Sequence, residues 1–160
     1  MVKIEKKRVV DLDNSTVRYL LRNLTYGAHA GMWPAICHIR KHNISDAYSY
    51  LAKNNADEYV GHLLTYRILG YRNTPRQIMQ MFVHCSYRYC GLGERLILAA
   101  KKDFKVLTGV KNEDSHNLYT KLGIVHSEKY VWCIPGRNSE HHLMDIMDIY
   151  ENILDTNSVF

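Results

Sequence analysis

Residues 86–96 read SYRYCGLGERL, and this stretch decides how the whole chain is interpreted. Arg88 is followed by Gly91 and Gly93 at the point where an apolar run gives way to a helical pattern. Glycine has no Cβ, so it costs least where the backbone takes a positive φ or passes close to a ligand. The stretch therefore predicts a strand, a turn with a functional purpose and a helix.

Phosphate binding is the purpose that this turn suits, and three patterns compete for it. A P-loop requires GxxxxGK[ST], but no Lys-Ser or Lys-Thr pair follows the glycines. The dinucleotide-binding fingerprint requires a third glycine three places after Gly93, where this chain has Leu96. A strand–turn–helix with R-x-x-G-x-G remains. There the backbone N–H groups of residues 88–93 and the N-terminus of the next helix can hold a pyrophosphate.

The composition fits one intracellular domain. The 160 residues are 46% hydrophobic with three prolines, so the chain is neither disordered nor a repeat protein. No stretch has the apolar core of a signal peptide or approaches the roughly 18–20 apolar residues of a membrane span. We therefore expect a single domain over residues 1–160, in the cytoplasm and without a membrane partner.

Charge is distributed unevenly along the chain. All 21 Lys and Arg lie at or before Arg137 with 11 of the 16 acidic residues, so residues 1–138 carry a net charge of +10. The acidic C-terminal segment, residues 139–160, carries −5. A basic body suggests an anionic ligand, either the phosphates of a cofactor or a nucleic acid. A generally basic surface that serves solubility is the alternative.

Cysteines and histidines form no metal-binding pattern. The four cysteines include no CxxC pair, and free thiols are expected in the cytoplasm. His84, Cys85 and Cys90 are close in sequence but match no zinc spacing. His38 and His42 lie four residues apart without a third ligand. We therefore predict no metal site.

Apolar periodicity predicts an α/β chain built around a mixed sheet. The predicted strands are 3–10, 58–69, 77–84, 104–110 and 124–134. The predicted helices are 17–24 after a cap at Asp13–Ser15, 46–55 after a cap at Ser45, 92–103, and 112–122 with Gly123 as its stop. Residues 141–150 fit a helix or a closing strand, and that choice stays open.

A second block of sequence adds to the glycine turn, and together they resemble the GCN5-related N-acetyltransferase (GNAT) family. The family's hallmark Q/R-x-x-G-x-G/A is matched by Arg88, Gly91 and Gly93. NEDSHNLYTKLGI, residues 112–124, resembles the family's N-x-x-(small)-x-x-L-Y-x-K-x-G-(apolar) helix. The two blocks follow the family's order and cover about residues 76–134. The resemblance implies the GNAT-like acyl-CoA N-acyltransferase fold, a mixed, splayed sheet flanked by helices.

The resemblance also implies acetyl-CoA as cosubstrate, lying in the splay between the strand that ends near His84 and the strand at 105–110. Its pantetheine arm would pair with backbone groups of the first strand, and its pyrophosphate would lie on residues 88–93. Lys121 or Lys101 would meet the outer phosphate. The cofactor-binding residues implied are Phe82, Val83, His84, Arg88, Tyr89, Cys90, Gly91, Leu92, Gly93 and Asn112.

Tyr119 occupies the family's frequent general-acid position, and plain packing is its alternative role. A tyrosine has a reference pKa of about 10, so it holds its proton at neutral pH and can offer it to the leaving thiolate, whose thiol has a pKa of about 8.5. The general base is a gap, because no Asp or Glu lies between Pro75 and Gly93. His84 and His62 are the candidates. An acceptor amine that arrives already neutral is the alternative.

The implied function is transfer of an acetyl group from acetyl-CoA to a primary amine of a small molecule, a protein or an aminoacyl group. In this family the acceptor is selected by the region that corresponds to Tyr26–Tyr50, the least family-like part of the chain, so the acceptor is not readable. A second hypothesis is a non-catalytic module of the same fold that binds or assembles, motivated by the missing carboxylate and the segment 139–160.

Two hypotheses about binding partners remain open. Nucleic-acid binding without acetyl transfer rests on charge alone and matches no motif. Members of the family are often homodimers, and the apolar stripe at 139–155 fits either such an interface or the protein's own core.

Overall fold

A computed structural model describes residues 1–23, 36, 39–66, 76–109 and 115–126 of the chain. The strands are β1 (Lys3–Arg8), β2 (Ala47–Lys53), β3 (Tyr59–Tyr66), β4 (Arg76–Val83), β5 (Leu107–Gly109) and β6 (Val125–His126). The helices are α1 (Asn14–Asn23), α2 (Leu92–Asp103) and α3 (His116–Lys121). Short 3₁₀ turns lie at Val9–Asp11 and Cys85–Tyr87.

These strands form one mixed sheet in the order β1-β2-β3-β4-β5-β6. The pairs from β1 to β4 are antiparallel, and β4–β5 and β5–β6 are parallel. The β4–β5 pairing runs from Arg76↔Leu107 to Ile78↔Gly109. Beyond Ile78, β4 is paired only with β3 in the described part of the chain. The prediction of a mixed sheet flanked by helices is confirmed, and we call the point where β4 and β5 separate the fork.

Helices cover both faces of the sheet. Leu51 and Leu64 pack on one face in a cluster with Val17 and Leu20 of α1. On the other face, α2 buries an apolar stripe against the sheet and α3. The members of this second cluster include Leu63, Ile78, Leu92, Leu96, Ile97, Ala100, Leu107 and Tyr119. Because successive side chains of a strand point to opposite faces, β3 is buried at every residue from Val60 to Tyr66.

The predicted helix at 46–55 is wrong, because residues 47–53 form strand β2. Ser45 before an acidic residue resembles a helix cap, and Ala47 and Leu51 fit a helical spacing as well as a strand's period. In the fold β2 is paired on both edges, with β1 and β3. Tertiary pairing and the packing of alternate side chains on two faces override a weak local preference for helix.

The predicted helix at 92–103 is confirmed with the same bounds as α2, and other predicted elements shift at their ends. Helix α1 begins three residues before the predicted start, and the Asp13 carboxylate accepts the backbone N–H of Thr16 at 2.7 Å, as expected of a cap. The first strand ends at Arg8, two residues before the prediction. Gly123 has a φ of +69° after α3, which confirms it as the helix stop.

Several predictions fall outside the described residues. Asn112, residues 24–35, the segment 139–160 and the choice between helix and strand at 141–150 are among them. The single domain over 1–160 stays a prediction. Within the described residues, no helix combines the length and apolarity needed to cross a bilayer.

Candidate functional site

The outer edge of β4 is open where the strand passes the fork. The backbone N–H of His84 donates to the Val60 carbonyl at 2.8 Å, so the peptide groups of His84 point toward β3. Peptide groups alternate in direction along a strand, which turns those of Phe82 toward β3 and those of Met81 and Val83 away from it. Met81 and Val83 therefore present backbone hydrogen-bonding groups on the side that β5 has left.

A cavity of about 400 Å³ lies along this edge. The open half of β4 lines it together with the following turn, the start of α2 and one residue of α3. Its lining residues are Met81, Val83, Tyr87, Arg88, Tyr89, Gly91, Leu92, Gly93, Glu94 and Leu118. The structure thus brings together six residues predicted from sequence, which are Val83, Arg88, Tyr89, Gly91, Leu92 and Gly93. The lining excludes four other predicted residues, which are Phe82, His84, Cys90 and Tyr119. Met81 lines the cavity but was not predicted, because its orientation depends on the alternation of peptide groups along β4.

Gly91 lies at the centre of the turn and caps α2. Its φ of +82° is a left-handed conformation that favours glycine. A Cβ added there would meet no atom of the described residues within 4 Å, so the space beside Gly91 is open with respect to them. Among the same residues, no side chain caps the N-terminus of α2, whose first N–H groups have no acceptor within the helix. This helix end presents a partial positive charge to the cavity.

Arg88 ties the turn to the strand. Its Nε donates to the Val83 carbonyl at 2.9 Å, and its guanidinium lies 5.6 Å from the centre of the Phe82 ring. The side chain therefore satisfies one open carbonyl of the β4 edge. Its hydrogen bond explains why an arginine suits this position, which sequence reasoning had assigned only to the cofactor.

The two lysines considered for an outer phosphate have different surroundings. Lys101 Nζ donates to the Leu122 carbonyl at 2.5 Å, which stabilises the end of α3. Lys121 Nζ lies 3.1 Å from the carboxylate of Glu94, a residue that lines the cavity. Lys121 therefore stands at the rim of the cavity and offsets a negative charge that would oppose an anionic ligand.

Tyr119 lies at the fork, packed against Gly109. It is buried, and a Cβ added to Gly109 would be 2.7 Å from its Cε2 atom, closer than van der Waals contact allows. Gly109 is also the last residue of β5 paired with β4. Only glycine lets the Tyr119 ring take this place. The signal in the sequence was a glycine inside a short strand, which often marks a close approach to the backbone.

Neither His62 nor His84 lines the cavity. His62 is fully buried on β3, its Nε2 is 2.9 Å from Ser49 Oγ, and burial lowers its pKa to about 3. It is neutral at physiological pH and a far weaker base than an amine with a pKa of about 10. His84 is exposed, and its Nδ1 accepts the backbone N–H of Ser86 at 3.2 Å.

Apart from Arg76, the buried polar side chains of β4 are amides, whereas a general base on this strand would have to be a carboxylate. Gln77 and Gln80 are 4% and 7% exposed, and amides do not accept protons near neutral pH. Both amide atoms of Gln80 lack a partner within the described part of the chain. Sequence reasoning noted the missing carboxylate but not these two residues.

Two cysteines lie near the turn but do not line the cavity. Cys85 and Cys90 are exposed free thiols, and Cys90 Sγ donates to the Tyr87 carbonyl at 2.7 Å. Among the described residues, no three His, Cys, Asp or Glu side chains are grouped to hold a metal ion.

Comparison with known proteins gives the fold a family. The profile of the Acetyltransferase (GNAT) family matches residues 18–124. A search of curated proteins found no match. Solved structures of acetyltransferases have a similar fold. The aminoglycoside 6'-N-acetyltransferase AAC(6')-Ih of Acinetobacter baumannii is 16% identical with a TM-score of 0.55, covering 86% of this chain and 100% of its own.

Two further structures are similar at the level of fold. The ribosomal-protein-alanine N-acetyltransferase of Brucella melitensis biovar Abortus 2308 is 18% identical with a TM-score of 0.53, covering 86% of this chain and 100% of its own. AAC(6')-Iy, solved with the bisubstrate analogue CoA-S-monomethyl-acetylneamine, is 15% identical with a TM-score of 0.55, covering 86% and 99%. Because the family profile spans more than half of its residues, the chain belongs to the Acetyltransferase (GNAT) family.

Proposed function

We propose that this protein is an acetyl-CoA-dependent N-acetyltransferase that acetylates a primary amine. The observation that carries the proposal is the continuous surface formed by the open edge of β4, the glycine turn and the N-terminus of α2 around one cavity. Acetyl-CoA supplies an activated acyl group as a thioester. Residues of the chain would bind this cosubstrate and protonate its leaving thiolate.

Met81 and Val83 would bind the pantetheine arm as an added strand, through those peptide groups that face away from β3 and are not already bonded to Arg88. From Ile78 at the fork to Val83 the strand extends about 17 Å, which gives room for an extended arm. The open space beside Gly91 and the N-terminus of α2 would receive the pyrophosphate. This arrangement places the acyl end near the fork and the nucleotide end at the turn.

Tyr119 would donate a proton to the leaving thiolate. Its support is its position at Gly109, beside the fork. A phenol with a reference pKa of about 10 is protonated at neutral pH, and transfer of its proton to a thiolate is unfavourable by only about 1.5 pKa units, or about 2 kcal/mol, so the phenol can serve as a general acid. The alternative is that Tyr119 only packs in the core, to which it belongs.

The acceptor amine would react in its neutral form without a strong enzymic base. His62 has a pKa of about 3 and β4 carries amides, so no described group near the fork takes a proton from an ammonium ion. The rate should then rise tenfold per pH unit below the pKa of the acceptor.

Localisation in the cytoplasm and assembly as a homodimer stay predictions.

A non-catalytic module of the same fold is the second candidate, and the neutral β4 amides favour it. The two are separated by thiol release from acetyl-CoA in the presence of amines. The panel takes its first members from the similar structures: an aminoglycoside and a peptide with N-terminal alanine, followed by a diamine. Amine-dependent thiol release that slows about tenfold in Tyr119→Phe supports the enzyme. Binding of acetyl-CoA without release for any amine supports the module.

A further inference from the structure

Tyr89 is a tyrosine that the fold does not explain. It is fully exposed, with a relative accessibility of 105%, and its φ of +61° is left-handed. Glycine and asparagine take this conformation more readily than an aromatic residue. Within the described residues, its ring packs against no other aromatic side chain and belongs to neither apolar cluster. The ring therefore adds nothing to the stability of the turn.

The position of Tyr89 points to a ligand. It follows Arg88 and precedes Gly91 by two residues, and all three line the cavity. Along the proposed path of acetyl-CoA, the open β4 edge holds the pantetheine arm and the turn holds the pyrophosphate. The next group of the cosubstrate beyond the pyrophosphate is 3'-phosphoadenosine, whose purine would leave the cavity beside the turn. Tyr89 is the fully exposed aromatic residue of that turn.

We propose that the ring of Tyr89 is a stacking platform for the adenine of the cosubstrate, and this rests on the proposed function. An aromatic ring that is already exposed and held by a turn loses little freedom when a planar base stacks on it. Every base has a π-face, so such a contact requires no hydrogen-bonding pattern. The left-handed backbone directs the ring outward from the turn, so a face of the ring is accessible to a base. A ring packed on the protein would have no such accessible face.

Two ligands separate contacts to the nucleotide from contacts to the acyl arm, and the choice of variants isolates the aromatic ring. Acetyl-CoA carries a pyrophosphate and 3'-phosphoadenosine, whereas S-acetyl-4'-phosphopantetheine has the same acyl arm and one phosphate but no adenosine. The variant is Tyr89→Asn, because asparagine tolerates a left-handed φ and removes the ring. Tyr89→Phe is the matched control, since it keeps the ring and removes the hydroxyl. Dissociation constants are measured by isothermal titration calorimetry, and the melting temperature of each variant checks its folding.

We expect Tyr89→Asn to weaken acetyl-CoA binding by about 5- to 150-fold, which is the loss that removal of one base–aromatic stacking contact causes in nucleic-acid-binding proteins. The same variant should leave S-acetyl-4'-phosphopantetheine unchanged, and Tyr89→Phe should bind both ligands as the wild type does. Three results would overturn the proposal: unchanged acetyl-CoA binding in Tyr89→Asn, equal weakening of both ligands, or weakening in Tyr89→Phe equal to that in Tyr89→Asn. Wild-type protein that binds neither ligand would refute the proposed function itself.

Discussion

The two ends of β4 carry arginines that serve opposite purposes. Arg76, at the paired end, is 2% exposed, hydrogen-bonds Asp46 and stacks 3.8 Å from the Phe104 ring centre. Arg88, just beyond the open end, is exposed and donates to the Val83 carbonyl. One strand is thus a buried anchor before the fork and an accessible edge after it. Substitutions before the fork should affect stability, and substitutions after it should affect binding.

The largest expected effect is on the anchor. Arg76→Met removes hydrogen bonds to Asp46 and Thr65 from a buried position, so we expect a loss of about 2–4 kcal/mol in the free energy of unfolding. Chemical denaturation measures it. Folded Arg76→Met should keep the acetyl-CoA affinity of the wild type within about threefold, that is, within about 0.7 kcal/mol. A large loss of affinity with intact stability would contradict the division of the strand.

At the fork, stability and activity should change together. Gly109→Ala places a Cβ 2.7 Å from Tyr119 Cε2, and the overpacking should cost about 1–3 kcal/mol while displacing the ring. Urea denaturation and the rate of thiol release are the two measurements. In Gly109→Ala with Tyr119→Phe, the second substitution should slow the rate less than it does in the wild type. If both backgrounds slow equally, Gly109 does not position Tyr119.

Behind the open half of β4, His62 should make stability depend on pH. Its pKa is lowered from 6.5 to about 3 in the folded state, so the unfolded chain binds the proton first as the pH falls. Stability is therefore fully present above about pH 6.5 and decreases as the pH falls toward about 3, with a loss of about 2 kcal/mol at pH 5. Comparison of unfolding at pH 7 and pH 5 in the wild type and His62→Gln measures this contribution. The exposed His42→Gln is the control. An identical pH dependence in all three proteins would refute a neutral, buried His62.

Arg88 should give the smallest effect, and on binding. Arg88→Met frees the Val83 carbonyl and loosens the turn, so we expect about fivefold weaker acetyl-CoA binding, or about 1 kcal/mol. Because the side chain is exposed, the free energy of unfolding should change by about 0.5 kcal/mol or less. Calorimetric titration and denaturation separate the two. A stability loss as large as that of Arg76→Met would remove the contrast between the two ends.

The contrast between the two ends of β4 also explains which features of the site could be predicted from the sequence. The turn, α2 and the glycines near it are local features, because spacing and the special conformation of glycine determine them. Met81 and Gly109 become functional only through the direction of peptide groups and the packing of Tyr119, both of which depend on which strands are neighbours. The burial of His62 is of the same kind, since it follows from two covered faces of the sheet.

The wrong assignment of β2 has the same origin. Ala47 and Leu51 suit a helix or a strand, and the choice is made by pairing with β1 and β3, which lie far away in the sequence. Local pattern thus predicted the glycine turn of the candidate site better than the sheet that supports it. The region expected to select the acceptor, Tyr26–Tyr50, falls partly outside the described residues, and the amine panel tests the chemistry of the acceptor.

The central claim is that the open half of β4 and the glycine turn hold acetyl-CoA, and the melting temperature with Gly91 variants tests it most directly. Gly91→Ala and Gly91→Glu share the strain of a side chain at a φ of +82°, about 1–2 kcal/mol, but only glutamate fills the open space with bulk and negative charge. At about 100 times its dissociation constant, acetyl-CoA should add about 2.7 kcal/mol to the wild type. We predict a clear upward shift in the wild type and Gly91→Ala and none in Gly91→Glu. No shift in the wild type at millimolar acetyl-CoA, or an undiminished shift in Gly91→Glu, would contradict the claim.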